Sequence, residues 1–217
     1  TQNCVPVYDI LNAGPRNRFL IKSDSGHLIA HNCMELGLGF GGGVKAFLTF
    51  AAGYGMDLEE LADAALPNIP KDILAEARSW WEVSVERKQT YKLSERVFIA
   101  CDSLKRLWRR AHPMTCKLWK DLEYAMSNVI STGKPQRVGR VTVGKNQQWV
   151  YNELPSGHRV CYPQASNRGK LSYMGTNSYT RKWERLSTYG GKLAENITQA
   201  CARDVIAYNL HGIEAAG

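Results

Sequence analysis

No run of 18 apolar residues occurs in the 217-residue sequence, so it offers no candidate for a membrane-crossing helix. Its first residues lack an initiator Met and have neither the basic start nor the small-residue cleavage site of a signal peptide. These absences lead us to expect a soluble protein of the cytoplasm, and one that is part of a longer chain. The six cysteines, at 4, 33, 101, 116, 161 and 201, form no CxxC pair and no zinc spacing. That argues against a metal ribbon or a secreted disulfide framework and leaves free thiols. No Gly-Lys-Ser/Thr follows the glycine-rich stretch at 37–43, which excludes a Walker A loop. What is present, 44% hydrophobic and 22% charged residues, is ordinary for a globular chain with a sizeable core.

The net charge of +8 is unevenly spread. Residues 1–32 hold 3 basic and 2 acidic groups (+1), residues 33–70 hold 1 and 5 (−4), and residues 71–217 hold 24 and 13 (+11). The basic part also contains all six tryptophans, at 80, 81, 108, 119, 149 and 183. Basic groups interleaved with aromatics suit a polyanion such as nucleic acid, although a solvated basic face over core tryptophans has the same composition.

Three regions follow from periodicity, with no internal repeat. Over 1–32, "CVPVYDIL", "RFLIKS" and "HLIA" read as short strands separated by the turn signals "NAGPRN" and "SDSG". Over 33–133 the pattern becomes helical. It contains "VKAFLTFAAGYG", a capped "MDLEELADAAL", "PKDILAEARSWWEVSVERK", "SERVFIACDSLKRLWRRA" and a helix opened by Pro113 and stopped at Gly133. Asp57, Glu59, Glu60 and Asp63 read as a helix start and its exposed face rather than as metal ligands. Over 134–217, "RVTVG", "QWVYNEL" and "HRVCYP" are strands, with "PSG" turning the second into the third, before a long terminal helix from "KLAEN". The expected class is α+β.

At the boundary of the first two regions stand His31, Asn32 and Cys33. An Asn whose amide nitrogen reaches its own carbonyl carbon can close a succinimide and cut the bond that follows it. An adjacent imidazole can protonate the departing amine. A Cys at the new N-terminus accepts an acyl group as a thioester, which then rearranges to an amide. Singly, each residue is more often structural; in sequence, they describe a cleavage and ligation.

With "VPVYDILNAGPRNRFLI" upstream and "HLIAHNC" at the end, residues 4–33 resemble the C-terminal segment of an intein of the Hint fold. The resemblance implies protein splicing without a cofactor. An acyl chain passes to Cys33, Asn32 cyclises with help from His31, and Asp9 assists the early acyl transfers. Arg16, Asn17 and Arg18 stand where many inteins place a His before Phe19. The family's first Cys or Ser and its TxxH block have no counterpart before Cys4. The resemblance therefore implies either a split intein, whose partner chain carries the N-terminal part of the intein and of the flanking protein, or a contiguous intein of which these residues are only the C-terminal part.

Residues 33–217 resemble family A DNA polymerases, particularly those of phages. "ELGLGFGG" matches the second half of the fingers motif, with Leu36 in the bulky position, Phe40 in the aromatic position and Gly41 after it. The motif's Lys would come from the partner chain, directly before Cys33 in the spliced product, and its Arg, four residues earlier, from the same chain. Leu36 replaces the usual Phe or Tyr. "WVYNELPSGHRVCYP" is similar to the palm hairpin, and "YGGKLAENITQACARDVIAYNL" to the palm helix that meets the primer-template minor groove. There Gln199 matches the helix's glutamine, and Asn196 lies about one turn earlier. Amide side chains suit minor-groove acceptors without selecting a sequence. The resemblance implies primer-template DNA and deoxynucleoside triphosphates as partners, and Mg2+ held by carboxylates outside these residues. It also implies an order of parts: an intein segment at 1–32, helical fingers at 33–133 and a partial palm at 134–217.

Three other readings use the same residues. One is a Hint-type autoprocessing segment on a non-catalytic nucleic-acid-binding module. Another is a dinucleotide-binding enzyme using Gly37, Gly39 and Gly42 as GxGxxG, which requires a βαβ unit. The last is a basic structural domain in which His-Asn-Cys is accidental.

Overall fold

The computed structural model describes residues 19–23, 26–30, 37–53 and 55–215, and side chains within most of the last two ranges. It is an α+β protein in two compact units that divide at Trp108 and Arg109. No helix among the described residues is long and apolar enough to cross a membrane.

In the first unit, β1 (Phe19–Ser23) pairs antiparallel with β2 (Gly26–Ala30), Phe19 opposite Ala30 and Ser23 opposite Gly26. These are two of the strands expected from "RFLIKS" and "HLIA". Helix α1 (Val44–Gly53) buries Val44, Phe47 and Ala51, three and four residues apart and so on one stripe. Helix α2 (Leu58–Ala65) begins at Asp57, whose carboxylate accepts from the N–H of Glu59 at 2.8 Å and of Glu60 at 3.4 Å. Glu59 and Glu60 add negative charge at the positive end of the helix, as their spacing predicts. A 3-10 turn (Leu66–Asn68) leads to α3 (Lys71–Glu86), which buries Ile73, Ala77 and Ser84.

Helix α4 (Glu95–Ala111) is buried on every side along its middle, from Val97 to Leu104. Buried Phe98 meets Trp81 with ring centroids 5.1 Å apart. The fully buried Asp102 sits in this apolar stretch, and a carboxylate there is costly unless it is paired. Lys105 and Arg106, one turn on, both reach it, Arg106 Nε at 2.6 Å. Arg106 also ion-pairs with Glu76 of α3, and Arg96 joins α4 to Glu59 and Asp63 of α2. Burial, with the charge of Asp102 beside it, pushes the Cys101 thiol up to about 12, so this cysteine is inert packing.

The second unit places two helices over an antiparallel meander. Helix α5 (Pro113–Thr132) starts on a proline and ends at Gly133, whose φ of 72° closes the left-handed cap and whose N–H donates to Val129 O at 2.9 Å. Strands β3 (Gln136–Val138), β4 (Val141–Asn146), β5 (Trp149–Glu153) and β6 (Arg159–Pro163) pair in chain order. A ribbon of β7 (Ser172–Thr176) and β8 (Trp183–Ser187) follows, and α6 (Gly190–Ala215) completes the unit. Leu122, Ala125, Met126 and Val129 of α5 pack on Val143, Val150 and Tyr162 of the sheet and Leu193 and Ala194 of α6. Strands β3, β7 and β8 were not anticipated. The sheet's βαβ requirement for a dinucleotide site is not met among the described residues, where every strand pair is antiparallel.

The contrast between buried and exposed ion pairs is measurable. Asp102→Ala leaves two cations against an apolar stretch and is expected to lower the urea unfolding free energy by about 3 kcal/mol. Asp63→Ala, which removes an exposed pair, is expected to leave it close to the parent value.

Candidate nucleic-acid interface

The chemistry expected at Asp9, His31, Asn32, Cys33 and Leu36 falls outside the described residues. Phe40 and Gly41 lie within them. Gly37 and Leu38 are helical, residues 39–41 turn, and Gly41 N–H donates to Leu38 O at 3.0 Å. Gly41 has φ of 80°, a left-handed conformation that strains residues with a Cβ. A Cβ on Gly42 would lie 1.8 Å from the carbonyl oxygen of Gly37. Two of these glycines thus answer to the backbone itself, and Phe40 stands half-buried at the turn.

Elements of the second unit meet at α6. Its first residue, Gly190, is so close to α5 that a Cβ would lie 1.9 Å from Trp119 O. Gly190 N–H donates to the carboxylate of Glu123 on α5 at 2.9 Å, which places an anion at the helix N-terminus. Nearly two turns along, Asn196 Nδ2 donates to the Tyr162 hydroxyl at 3.3 Å, and Asn152 Nδ2 approaches the same oxygen at 3.5 Å. Burial pushes the Tyr162 phenol up to about 12, so it remains a neutral hydrogen-bonding group. Asn152 Oδ1 is buried without a protein partner; exchanging the two amide atoms would give the phenol proton an acceptor.

Asn196 and Gln199 therefore face different surroundings. Asn196 turns toward the sheet. Gln199 is exposed and donates to Glu195 at 3.2 Å, and Glu195 also pairs with Lys192 at 2.9 Å. That ladder presents an amide and charged groups on the surface of α6.

Two turns beyond Asn196, Asp204 binds the tip of the β5–β6 hairpin. Ser156 Oγ donates to Oδ2 at 2.5 Å, His158 Nδ1 meets Oδ1 at 2.9 Å, and Arg203 pairs at 2.9 Å. These partners, the Ser156 hydroxyl foremost, hold the Asp204 carboxyl well below the usual carboxylate range. Ser156 and His158 bond to separate oxygens of one carboxylate, an arrangement that positions a turn rather than activating a serine. Sequence reasoning identified "PSG" as a turn but missed this cluster, because Asp204 lies 48 residues away and looks like any polar helical position. No group of three His, Cys, Asp or Glu side chains among the described residues could hold a metal ion.

Part of the sequence is related to that of a DNA polymerase of phage origin. The relative is a DNA polymerase of Bacillus phage SP02, 35% identical over a 122-residue alignment that covers 52% of this chain and 19% of the relative. The chain thus spans about a fifth of the length of that protein. No family model matches the chain. No solved structure matches it either.

The hairpin clamp has a pH signature. Because the folded pKa of Asp204 is depressed, its contribution is complete above the unfolded carboxylate range near pH 4 and is lost as pH falls from there toward the folded value. Thermal melts should show Asp204→Asn less stable than the parent at pH 7, with a shallower loss below about pH 4. Parallel pH curves for the two proteins would remove Asp204 from that role.

Proposed function

We propose that the chain is a precursor piece of a phage-type family A DNA polymerase, preceded by the C-terminal segment of an intein. The relation to the phage polymerase carries the polymerase half of this reading. The terminal "HLIAHNC" supports the intein half. In this reading residues 1–32 are excised, 33–133 contribute fingers and 134–217 contribute part of the palm. The reaction takes place in the cytoplasm of a bacterium or phage-infected host.

Splicing would proceed through groups of this chain once a partner supplies the N-terminal intein half and an acyl chain. The Cys33 thiolate attacks the acyl carbon of the (thio)ester that the partner's first Cys or Ser has formed. The bond from that carbon to the partner's sulfur or oxygen breaks, that side chain leaves, and the acyl chain is held on Cys33 as a thioester, with Asp9 assisting the acyl transfer. The Asn32 side-chain nitrogen then attacks the Asn32 carbonyl carbon, the Asn32–Cys33 bond breaks, and His31 protonates the departing amine. The freed amine attacks the thioester, sulfur leaves, and a peptide bond remains. No cofactor is needed for these steps.

After joining, Leu36, Phe40 and Gly41 would border the incoming nucleotide, while Gln199, with Asn196 beside it, would face the primer-template minor groove. Gln199 has the exposed amide for that role. Asn196 fits better as the residue that holds α6 against Tyr162. Mg2+ would be held by carboxylates of the joined protein that these residues do not include, so no step of nucleotide transfer is assigned to them.

Mixing the chain with an N-terminal partner should give, by mass spectrometry, a ligated product that has lost residues 1–32. Asn32→Ala should stop release of the C-terminal product while leaving any branched intermediate. Unchanged ligation in that variant would refute the mechanism. Primer extension with Mg2+ should appear only after joining; extension by the unjoined chain would overturn the assignment of its missing parts.

A further inference from the structure

We propose that the β7–β8 ribbon is a contact site for single-stranded nucleic acid, with Tyr179 and Trp183 stacking on bases while Arg181 and Lys182 neutralise phosphates. The proposal extends the polymerase reading to a named strand-binding element. It stands on the chemistry of the ribbon, so the two can fail separately.

The ribbon exposes aromatic surface that folding leaves uncovered: Tyr179 is 95% exposed and Trp183 61%. The strand register explains the direction of Trp183. It stands opposite Thr176, and Arg185 stands opposite Met174, on the face away from the Tyr173–Leu186 pair. Tyr173 takes the inner side, edge-on to Tyr162 with centroids 5.1 Å apart. Trp183 is therefore an outward group of a ribbon whose other face is anchored.

The tip that carries Tyr179 is built rather than loose. Asn177 Oδ1 accepts from the N–H of Tyr179 at 2.8 Å and of Thr180 at 3.4 Å, an Asx turn, and Asn177 N–H donates to Lys182 O at 2.9 Å. Arg181 is held at φ of 58°. A pre-ordered tip lowers the entropic cost of engaging a ligand.

Charge selects the occupant. Residues 166–192 contain six basic side chains and one acidic one. That one, Glu184, is taken up by Asn177 and Thr180 within the tip. Among the described residues, Arg168, Lys170, Arg181 and Lys182 have no carboxylate within ion-pair distance. An apolar protein partner would have to desolvate those cations, whereas a polyanion releases counterions on meeting them. Aromatic faces beside cations engage unstacked bases, which a duplex does not present.

Fluorescence anisotropy of a labelled single-stranded DNA of about 12 nucleotides with the full 217-residue chain tests the site. Tyr179→Ala and Trp183→Ala should each weaken binding by about 5- to 100-fold, with Tyr179→Phe and Trp183→Phe near the parent. The double variant Arg181→Ala, Lys182→Ala should reduce the log–log salt slope by about 1.4. Unaltered melting curves for the Tyr179 variants would place the loss in binding rather than folding. Parent-like affinity in both alanine variants, or tighter binding of a duplex of the same sequence, would overturn the proposal. A failure of the polymerase reading would instead appear as absent primer extension after ligation and would leave these affinities unchanged.

Discussion

The buried Tyr162 hydroxyl is where the second unit is tied together. It belongs to β6, receives Asn152 from β5 and Asn196 from α6, and its ring carries Tyr173 of β7. A phenolic oxygen removed from water without partners costs several times the roughly 1 kcal/mol that a satisfied hydrogen bond returns. Helix and hairpin are therefore held to a geometry that keeps the amides within reach. Apolar burial supplies most of the stabilisation through Leu122, Met126, Val143 and Leu193, but such contacts tolerate sliding. The directional bonds, together with the close approach of Gly190 to Trp119, select one placement of α6. Asp204 then fixes the hairpin tip farther along the same helix.

The first unit solves a similar problem with charge. Helix α4 is the most enclosed helix described, yet it contains an Asp at its centre. Lys105 and Arg106 pair with that Asp from its own helix, while Arg106 extends to α3 and Arg96 to α2. The cost of the buried carboxylate is offset by links that fix neighbouring helices in register, which an apolar residue at 102 could not supply.

Much of this fold was legible in the sequence. Pro113 and Gly133 bracket α5, Asp57 caps α2, and the periodicity of "SERVFIACDSLKRLWRRA" matches α4. Local signals succeeded because helix starts and stops are decided by neighbouring residues. The β7–β8 ribbon escaped notice because Gly175 interrupts one strand and "TNSYTRK" reads as loop, although a Cβ at Gly175 would crowd the side chains of Tyr173 at 3.0 Å and Leu186 at 3.1 Å. The Ser156–His158–Asp204 cluster and the Tyr162 hub escaped for a different reason. They join residues far apart in sequence, and nothing local marks Asn152 or Asp204 as special. Gln199 and Asn196 illustrate the same limit, since their spacing puts both on α6 but only the tertiary contact with Tyr162 separates an inward amide from an outward one.

The glycine-rich stretch changes meaning in the structure. As a sequence, "GLGFGGG" admits either a ligand or another backbone at close range. Gly42 is explained by the carbonyl of Gly37 and Gly41 by its left-handed φ, so both would be needed whether or not a nucleotide ever approached. The glycines consequently carry little weight for nucleotide binding, and that reading must rest on Phe40, on the residues before it and on the sequence relation to the phage enzyme. The weight shifts toward the second unit. There the exposed Gln199, the uncovered aromatics and the cations without a carboxylate partner among the described residues answer to no comparable backbone demand, and the proposed contact with nucleic acid would account for all three.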